Sequence, residues 1–136
     1  LGIPAEPLFR SNAVVRELAN YGPLWDEIGD SNVGICLDTC HAWAAGQDLA
    51  TSVETLRDLT GRVDLVHCND SRDPWDSRRD RHTNLGKGEI PEDLLVGVVR
   101  EADAPVVVET PFDAEAVQAA AKAMELDLKK ATRYSA

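Results

Sequence analysis

The sequence predicts an α/β chain of about three βα units, and three observations predict it. Short apolar runs suited to parallel strands recur at 33–38, 63–68 and 105–109. Amphipathic segments with helical spacing lie between and after them. Each run carries an ionisable side chain at its end: Asp38, His67 and Glu109. Parallel α/β folds gather their functional residues at the carboxyl ends of strands. Such alternation of strand and helix builds a parallel sheet, either doubly wound or part of a barrel, and three units are too few to close a barrel.

Taken in order, residues 1–12 carry Pro4 and Pro7 with little periodicity and read as a loop or frayed lead-in. Val15, Leu18, Tyr21, Leu24, Trp25 and Ile28 are spaced to bury one face of a helix over 13–29, which Gly22-Pro23 is expected to break. The first strand is Val33-Gly-Ile-Cys-Leu-Asp38, followed by a helix at 52–60 and a second strand, Val63-Asp-Leu-Val-His-Cys68. A helix at 91–101 then leads to the third strand, Pro105-Val-Val-Val-Glu109. A last helix is expected at 113–126, capped by Asp113, with Val117, Ala120 and Met124 toward the sheet. The polar stretch 69–90 is too long for a simple connection, and loops of that length are usually functional or disordered.

Composition narrows the function. A chain of 136 residues, 43% hydrophobic and 28% charged, makes one soluble domain at most. No apolar run reaches the ~18 residues of a membrane span, and the first ten residues lack the pattern of a signal peptide. No membrane partner is therefore expected, and the expected location is cytoplasmic. Cys36, Cys40 and Cys68 are an odd count without a secretory signal, which favours reduced thiols over a disulfide framework. A net charge of −10, with acid and base intermixed, gives no basic stripe for nucleic acid. Bound divalent ions would add positive charge where a substrate sits, so the formal charge undercounts a metal-loaded site. The chain opens on Leu1 rather than methionine, and a fragment or processed product is expected.

Six side chains carry the chemistry. Asp38 is followed three residues later by His41, and His67 by Cys68, Asn69 and Asp70. Asp80 and His82 sit in the long polar stretch as Asp-Arg-His, and Glu109 ends the third run. Together they are all three histidines of the chain and three carboxylates, the ligand types that zinc or manganese takes. Each alone has a plainer reading, since aspartate at a helix start is commonly a cap and a lone histidine is commonly structural. Their coincidence favours a metal. Cys40, His41, His67 and Cys68 offer a rival zinc site, but C-x-x-C spacing is absent and buried structural thiols are the stronger reading. Gly86-Lys87-Gly88 lacks the full phosphate-loop fingerprint and reads as a turn into the following helix. Arg72, Arg78, Arg79 and Arg81, with Lys87, form the most basic stretch, open equally to a solvated face and to phosphate contacts.

These residues fall into five blocks whose order resembles the endonuclease IV family. They are Cys36-Leu-Asp-Thr-Cys-His-Ala-Trp43 with Ala45-Gly46, His67-Cys-Asn-Asp70, Asp80-Arg-His82, Leu85-Gly-Lys-Gly88 and Glu109-Thr110. The similarity spans roughly residues 21–112. It implies that 1–136 is the C-terminal part of a (β/α)8 TIM barrel, a partial barrel of about three βα units. It also implies up to three zinc ions at the barrel mouth, double-stranded DNA with abasic sites as partner, and hydrolysis of the phosphodiester 5′ to the abasic nucleotide in base excision repair. By the same resemblance Asp38, His67 and Glu109 bind one zinc and His41, Asp80 and His82 another. Asp38 and Glu109 then count as catalytic as well as ligating, and Arg81 is a DNA phosphate contact. The family's barrel begins before Leu1, and that part supplies two histidines and a glutamate for the remaining zinc. The chain alone is therefore short of a complete site.

Two rival readings follow from the same residues. His, Asp and Glu at strand ends also suit a divalent-metal sugar isomerase or epimerase. Alternatively, the chain is a nonenzymatic metal-binding fragment whose open strand edges favour self-association.

Overall fold

The computed structural model describes residues 17–109. The expected lead-in at 1–12, residues 13–16 of the first expected helix and the expected helix at 113–126 lie outside the described residues. Leu18–Asn20 form a 3-10 turn that runs directly into α1 (Tyr21–Ile28). Gly22-Pro23 does not break this helix. The pair lies in its first turn, where backbone N–H groups have no intrahelical acceptor and the missing proline donor costs nothing.

Three parallel strands, β1 (Cys36–Asp38), β2 (Leu65–His67) and β5 (Val106–Val107), form one sheet in the order β1-β2-β5. Helices α2 (Thr39–Ala44) and α3 (Ser52–Thr60) connect the first two, and α4 (Glu92–Ala102) precedes the third. Strands that neighbour each other in chain order and run the same way are laid as in a barrel wall. Helices α3 and α4 occupy the expected segments, whereas the short α2 has too few residues to show a period and was not expected.

Each ladder is shorter than its apolar run. At the first, the Ile35 amide donates to the Asp64 side chain (2.7 Å) instead of to a neighbouring strand, and a Cβ on Gly34 would lie 2.9 Å from the same oxygen. Backbone pairing starts only where the Ile35 carbonyl accepts from Asp64 and Leu65, and Val33 is left exposed.

Leu37 and Val66 are buried in a core shared with Val53 and Leu56 of α3 and Leu95 and Val98 of α4. Each such buried side chain contributes about 1.5–3 kcal/mol. Parallel strands covered on both faces were expected. Here Cys36 and Leu65, on the face opposite the helices, are only half-buried. In a closed barrel that face is the interior, which layers of side chains from the other strands fill.

The long stretch 69–90 is ordered by pairing that no sequence period announces. β3 (Asp70–Ser71) pairs antiparallel with β4 (His82–Thr83), with Asp70 opposite Thr83 and Ser71 opposite His82. Residues 86–90 fold back on the other side of β3, where the Glu89 amide donates to the Ser71 carbonyl (2.7 Å). The turn expected at Gly86-Lys87-Gly88 is present, with Gly86 at φ +73°. No helix among the described residues is long and apolar enough to cross a membrane.

Candidate metal centre

Asp38 is the last residue of β1 and the N-cap of α2, so its backbone position is set from both sides. Its Oδ1 accepts from the His41 amide (2.9 Å) and lies 3.2 Å from His41 Nδ1. The cap reading and the ligand reading of Asp38 thus describe one carboxylate with two oxygens. Oδ2 faces away from the cap, 3.6 Å from His67 Nδ1 and 3.9 Å from His82 Nε2. Parallel register places Asp38 beside His67 on adjacent strands. His67 Nδ1 in turn lies 3.0 Å from Glu109 Oε2. Asp38, His67 and Glu109 offer ligand atoms that all fall within 4.8 Å of one another, the grouping the motifs imply.

Asn69 holds these carboxylates at that spacing. Its fully buried side chain donates to Asp38 Oδ2 (3.0 Å) and Glu109 Oε2 (3.3 Å), while its Oδ1 accepts from the Glu109 amide (2.9 Å). Thr39 completes the clasp: its hydroxyl accepts from the Asn69 amide (2.8 Å) and donates to the Asn69 carbonyl (2.6 Å). Outer-shell partners of this kind orient metal ligands. Neither residue was assigned a role from sequence. The signal lay in the run His67-Cys-Asn-Asp70, polar side chains immediately after a strand end.

The second set reaches the centre from α2, which carries His41, and from the loop. His41 Nε2 lies 3.0 Å from Asp80 Oδ2, and His82 Nε2 lies 3.1 Å from Asp80 Oδ1, so one carboxylate joins both imidazoles. The rings of His41 and His82 meet edge to face at 6.0 Å between centroids. Asp38, His41 and His82 also bring ligand atoms within 4.8 Å of one another, as do Cys40, Asp80 and His82. All six motif residues therefore converge, and Asp38 groups both with His67 and Glu109 and with His41 and His82.

The electrostatics of the cluster favour a cation. Hydrogen bonds to Asp38 and Asp80 raise the His41 pKa to about 10, and a hydrogen bond to Asp80 raises that of His82. Burial pushes the Asp38 and Asp80 carboxyls up, but hydrogen bonds and charge from the histidines outweigh it and leave both below the ordinary carboxylate range. Asp80 Oδ1 and His82 Nε2 are both buried and lie 3.1 Å apart, and neither has another hydrogen-bond partner among the described residues. Two buried donor atoms that have only each other to pair with fit joint coordination of a metal. The donor set, nitrogens and carboxylate oxygens, suits zinc or manganese.

The rival Cys/His site does not assemble. Cys68 joins no metal-competent group among the described residues, and Cys40 groups with Asp80 and His82 rather than with His67. Burial pushes the Cys40 and Cys68 thiols up to about 12, which leaves them protonated and poor as nucleophiles. All three cysteines are free, as expected.

At the lip, Arg72, Arg78, Arg79, Arg81 and Lys87 are exposed. Arg81 is tied side-on to the buried Asp73, with Nε donating to Oδ2 (2.7 Å) and Nη2 donating to Oδ1. Asp73 also takes Arg79 at 3.9 Å and was not singled out from sequence, because only burial distinguishes it from other loop aspartates.

A family model described as a xylose isomerase-like TIM barrel matches residues 5–129, and the chain belongs to that family. Within this class it is similar to endonuclease IV proteins. "Probable endonuclease 4" of Mycobacterium ulcerans is 57% identical over 99 residues, and that of Mycobacterium bovis 56% over 99 residues. Each match takes in 73% of this chain and 39% of the relative. The crystal structure of endonuclease IV from Thermus thermophilus superposes with a TM-score of 0.67 at 32% identity, covering 81% of this chain and 43% of that one. The chain thus spans about two fifths of the length of the curated relatives it matches. These relatives bear out the likeness read from the motif blocks, and they decide between the two open architectures in favour of a partial (β/α)8 barrel.

Proposed function

We propose that the chain is the C-terminal part of a zinc-dependent endonuclease that hydrolyses the DNA phosphodiester 5′ to an abasic site. The observation that carries this reading is the convergence of Asp38, His41, His67, Asp80, His82 and Glu109 at the carboxyl ends of parallel strands. Asp38, His67 and Glu109 would hold one ion and His41, Asp80 and His82 another, and the Asp38 carboxylate lies against both sets. Bound zinc supplies hydroxide near neutral pH and offsets charge on the attacking and leaving oxygens. Asp38 and Glu109 would be catalytic as well as ligating, because they would hold an ion that supplies the attacking hydroxide. Asn69 keeps these two carboxylates aligned through its amide group. Arg81 engages Asp73 through one edge of its guanidinium, and its remaining N–H donors are assigned to a DNA phosphate. Three free thiols suit a reducing cytoplasm.

The test pairs elemental analysis of the purified chain with incision of an abasic duplex by the chain set within a complete barrel. About two zinc ions per chain, and cleavage 5′ to the lesion that chelation abolishes, are expected. A complete barrel that binds zinc but leaves abasic DNA intact would overturn the endonuclease reading. Because the family model is described as xylose isomerase-like, aldose–ketose interconversion without salt-dependent DNA binding is the outcome that would install the isomerase reading instead. β1 and β5 border the described sheet, and concentration-dependent sedimentation of the chain by itself is expected from such edges.

A further inference from the structure

We propose that Asp70 is the positioning residue of the loop-borne half of the metal centre, acting through backbone amides of β3 itself and of the return segment 86–90. The inference rests on the metal-binding reading above and extends it to a residue outside the ligand set. Asp70 is fully buried. A carboxylate in that position is unfavourable unless donors saturate it. Its partners are four amides: Oδ1 accepts from Ser71 (2.8 Å) and Ile90 (3.1 Å), and Oδ2 from Gly86 (3.1 Å) and Gly88 (2.8 Å).

The location of those amides gives the carboxylate its role. Asp70 lies in β3 opposite Thr83, next to the Ser71–His82 pair. The chain leaves β4 at Thr83, turns where the Lys87 amide donates to the Asn84 carbonyl (2.9 Å), and returns along β3 through residues 86–90. Gripping the return fixes the outgoing strand, and with it the imidazole of His82 and the carboxylate of Asp80 two residues earlier. Gly88 is required by the same device, because a Cβ there would collide with the Ser71 carbonyl oxygen and the Asp70 carboxylate. The strand-end ligands Asp38, His67 and Glu109 do not depend on this grip, since their spacing comes from the parallel ladder and Asn69.

The test compares the parent chain with Asp70→Asn and Gly88→Ala. The first keeps the shape and turns an amino group on the amide donors; the second keeps the charge and crowds it. Zinc is read by elemental analysis and chelator competition, and backbone order by amide exchange. Loss of about one zinc, with affinity at the loop-borne site falling about 10–100-fold and the strand-end zinc retained, is expected for both variants. Exchange at the Arg72 amide, which donates to the Arg81 carbonyl, is expected to quicken by about tenfold or more. Exchange at the Cys68 amide, which donates to Val107 in the parallel sheet, serves as the unchanged control. Full zinc content with parent affinity in either folded variant overturns the proposal, as does general unfolding of both, which would make Asp70 a support of the whole fold. Should the parent chain take up no zinc, the metal reading fails and exchange alone decides: selective quickening at Arg72 supports the positioning role, and equal exchange at both amides overturns it.

Discussion

Asp38 and His67 end neighbouring parallel strands, whose ladder sets their spacing before any side chain interacts, while Glu109 lies just past β5 and is tied to them through Asn69. Asp80 and His82 arrive on a polar stretch with only a two-residue ladder of its own. The strand-end set needs one clasp, Asn69 with Thr39, to align its carboxylates. The loop set needs several: Asp70 on four amides, Asp73 on Arg81, and a loop segment tied to α2 through Asp76 and Arg78 amides donating to Trp43 and Ala44 carbonyls (3.1 and 2.8 Å). A metal site built partly on a loop replaces missing ladder bonds with buried side-chain acceptors. Those acceptors, more than the ligands, are where the two halves differ.

The largest effect is expected where the halves meet. Asp38→Ala removes the carboxylate common to both sets, and elemental analysis should find nearly all zinc lost, whereas His67→Ala and His82→Ala should each remove about one ion. An Asp38→Ala chain that retains a full ion would show that the halves are separate sites. Next comes Asn69→Leu, which takes the donor from two carboxylates inside a buried niche. Urea unfolding of the metal-free chain should show a loss of about 2 kcal/mol, since carboxylates stripped of buried donors keep their desolvation cost. Zinc at the strand-end site should weaken while the loop-borne site stays near its parent affinity.

A smaller change is expected from Gly46→Ala on the tie between loop and α2. Gly46 has φ +74°, and a Cβ there would approach Asp76 Oδ1 to 2.9 Å. A cost of about 1 kcal/mol in thermal or urea unfolding is expected. The smallest effect concerns pH. Hydrogen bonding and charge from Arg81 hold the Asp73 carboxyl below its ordinary range. A folded-state pKa below the unfolded value contributes stability that is present above about pH 4 and lost as pH falls through the folded value. Protection of the Arg72 amide, measured as the ratio of intrinsic to observed exchange rate at each pH, should therefore fall on acidification before the parallel sheet opens. Arg81→Ala should abolish that early phase.

The six candidate ligands were readable without a structure, because strand ends in parallel α/β chains expose them and because histidine is scarce here. The two longer helices were readable for a similar reason, since nine to eleven residues carry enough of a 3.6-residue period to show their buried face. The lengths of the strands were not. Ile35 is as apolar as Leu37, and only the Asp64 side chain across from it ends the ladder. Nor did the sequence distinguish Asn69, Asp70 and Asp73 from the other polar residues of the chain, although each is buried and saturated with partners.

By itself, then, the sequence determined the three parallel strands and the helices α1, α3 and α4 in their order, the six candidate metal ligands and the likeness carried by their motif blocks, all properties of residue type and spacing along the chain. Tertiary structure alone decided which face of each strand is covered, that the Asp38 carboxylate lies against both candidate ligand sets, and which polar residues hold the loop. The reason is physical: coordination and burial depend on distances between residues some thirty to seventy positions apart, and a polar side chain acquires such a role only when folding removes it from water and leaves a specific donor as its one available partner.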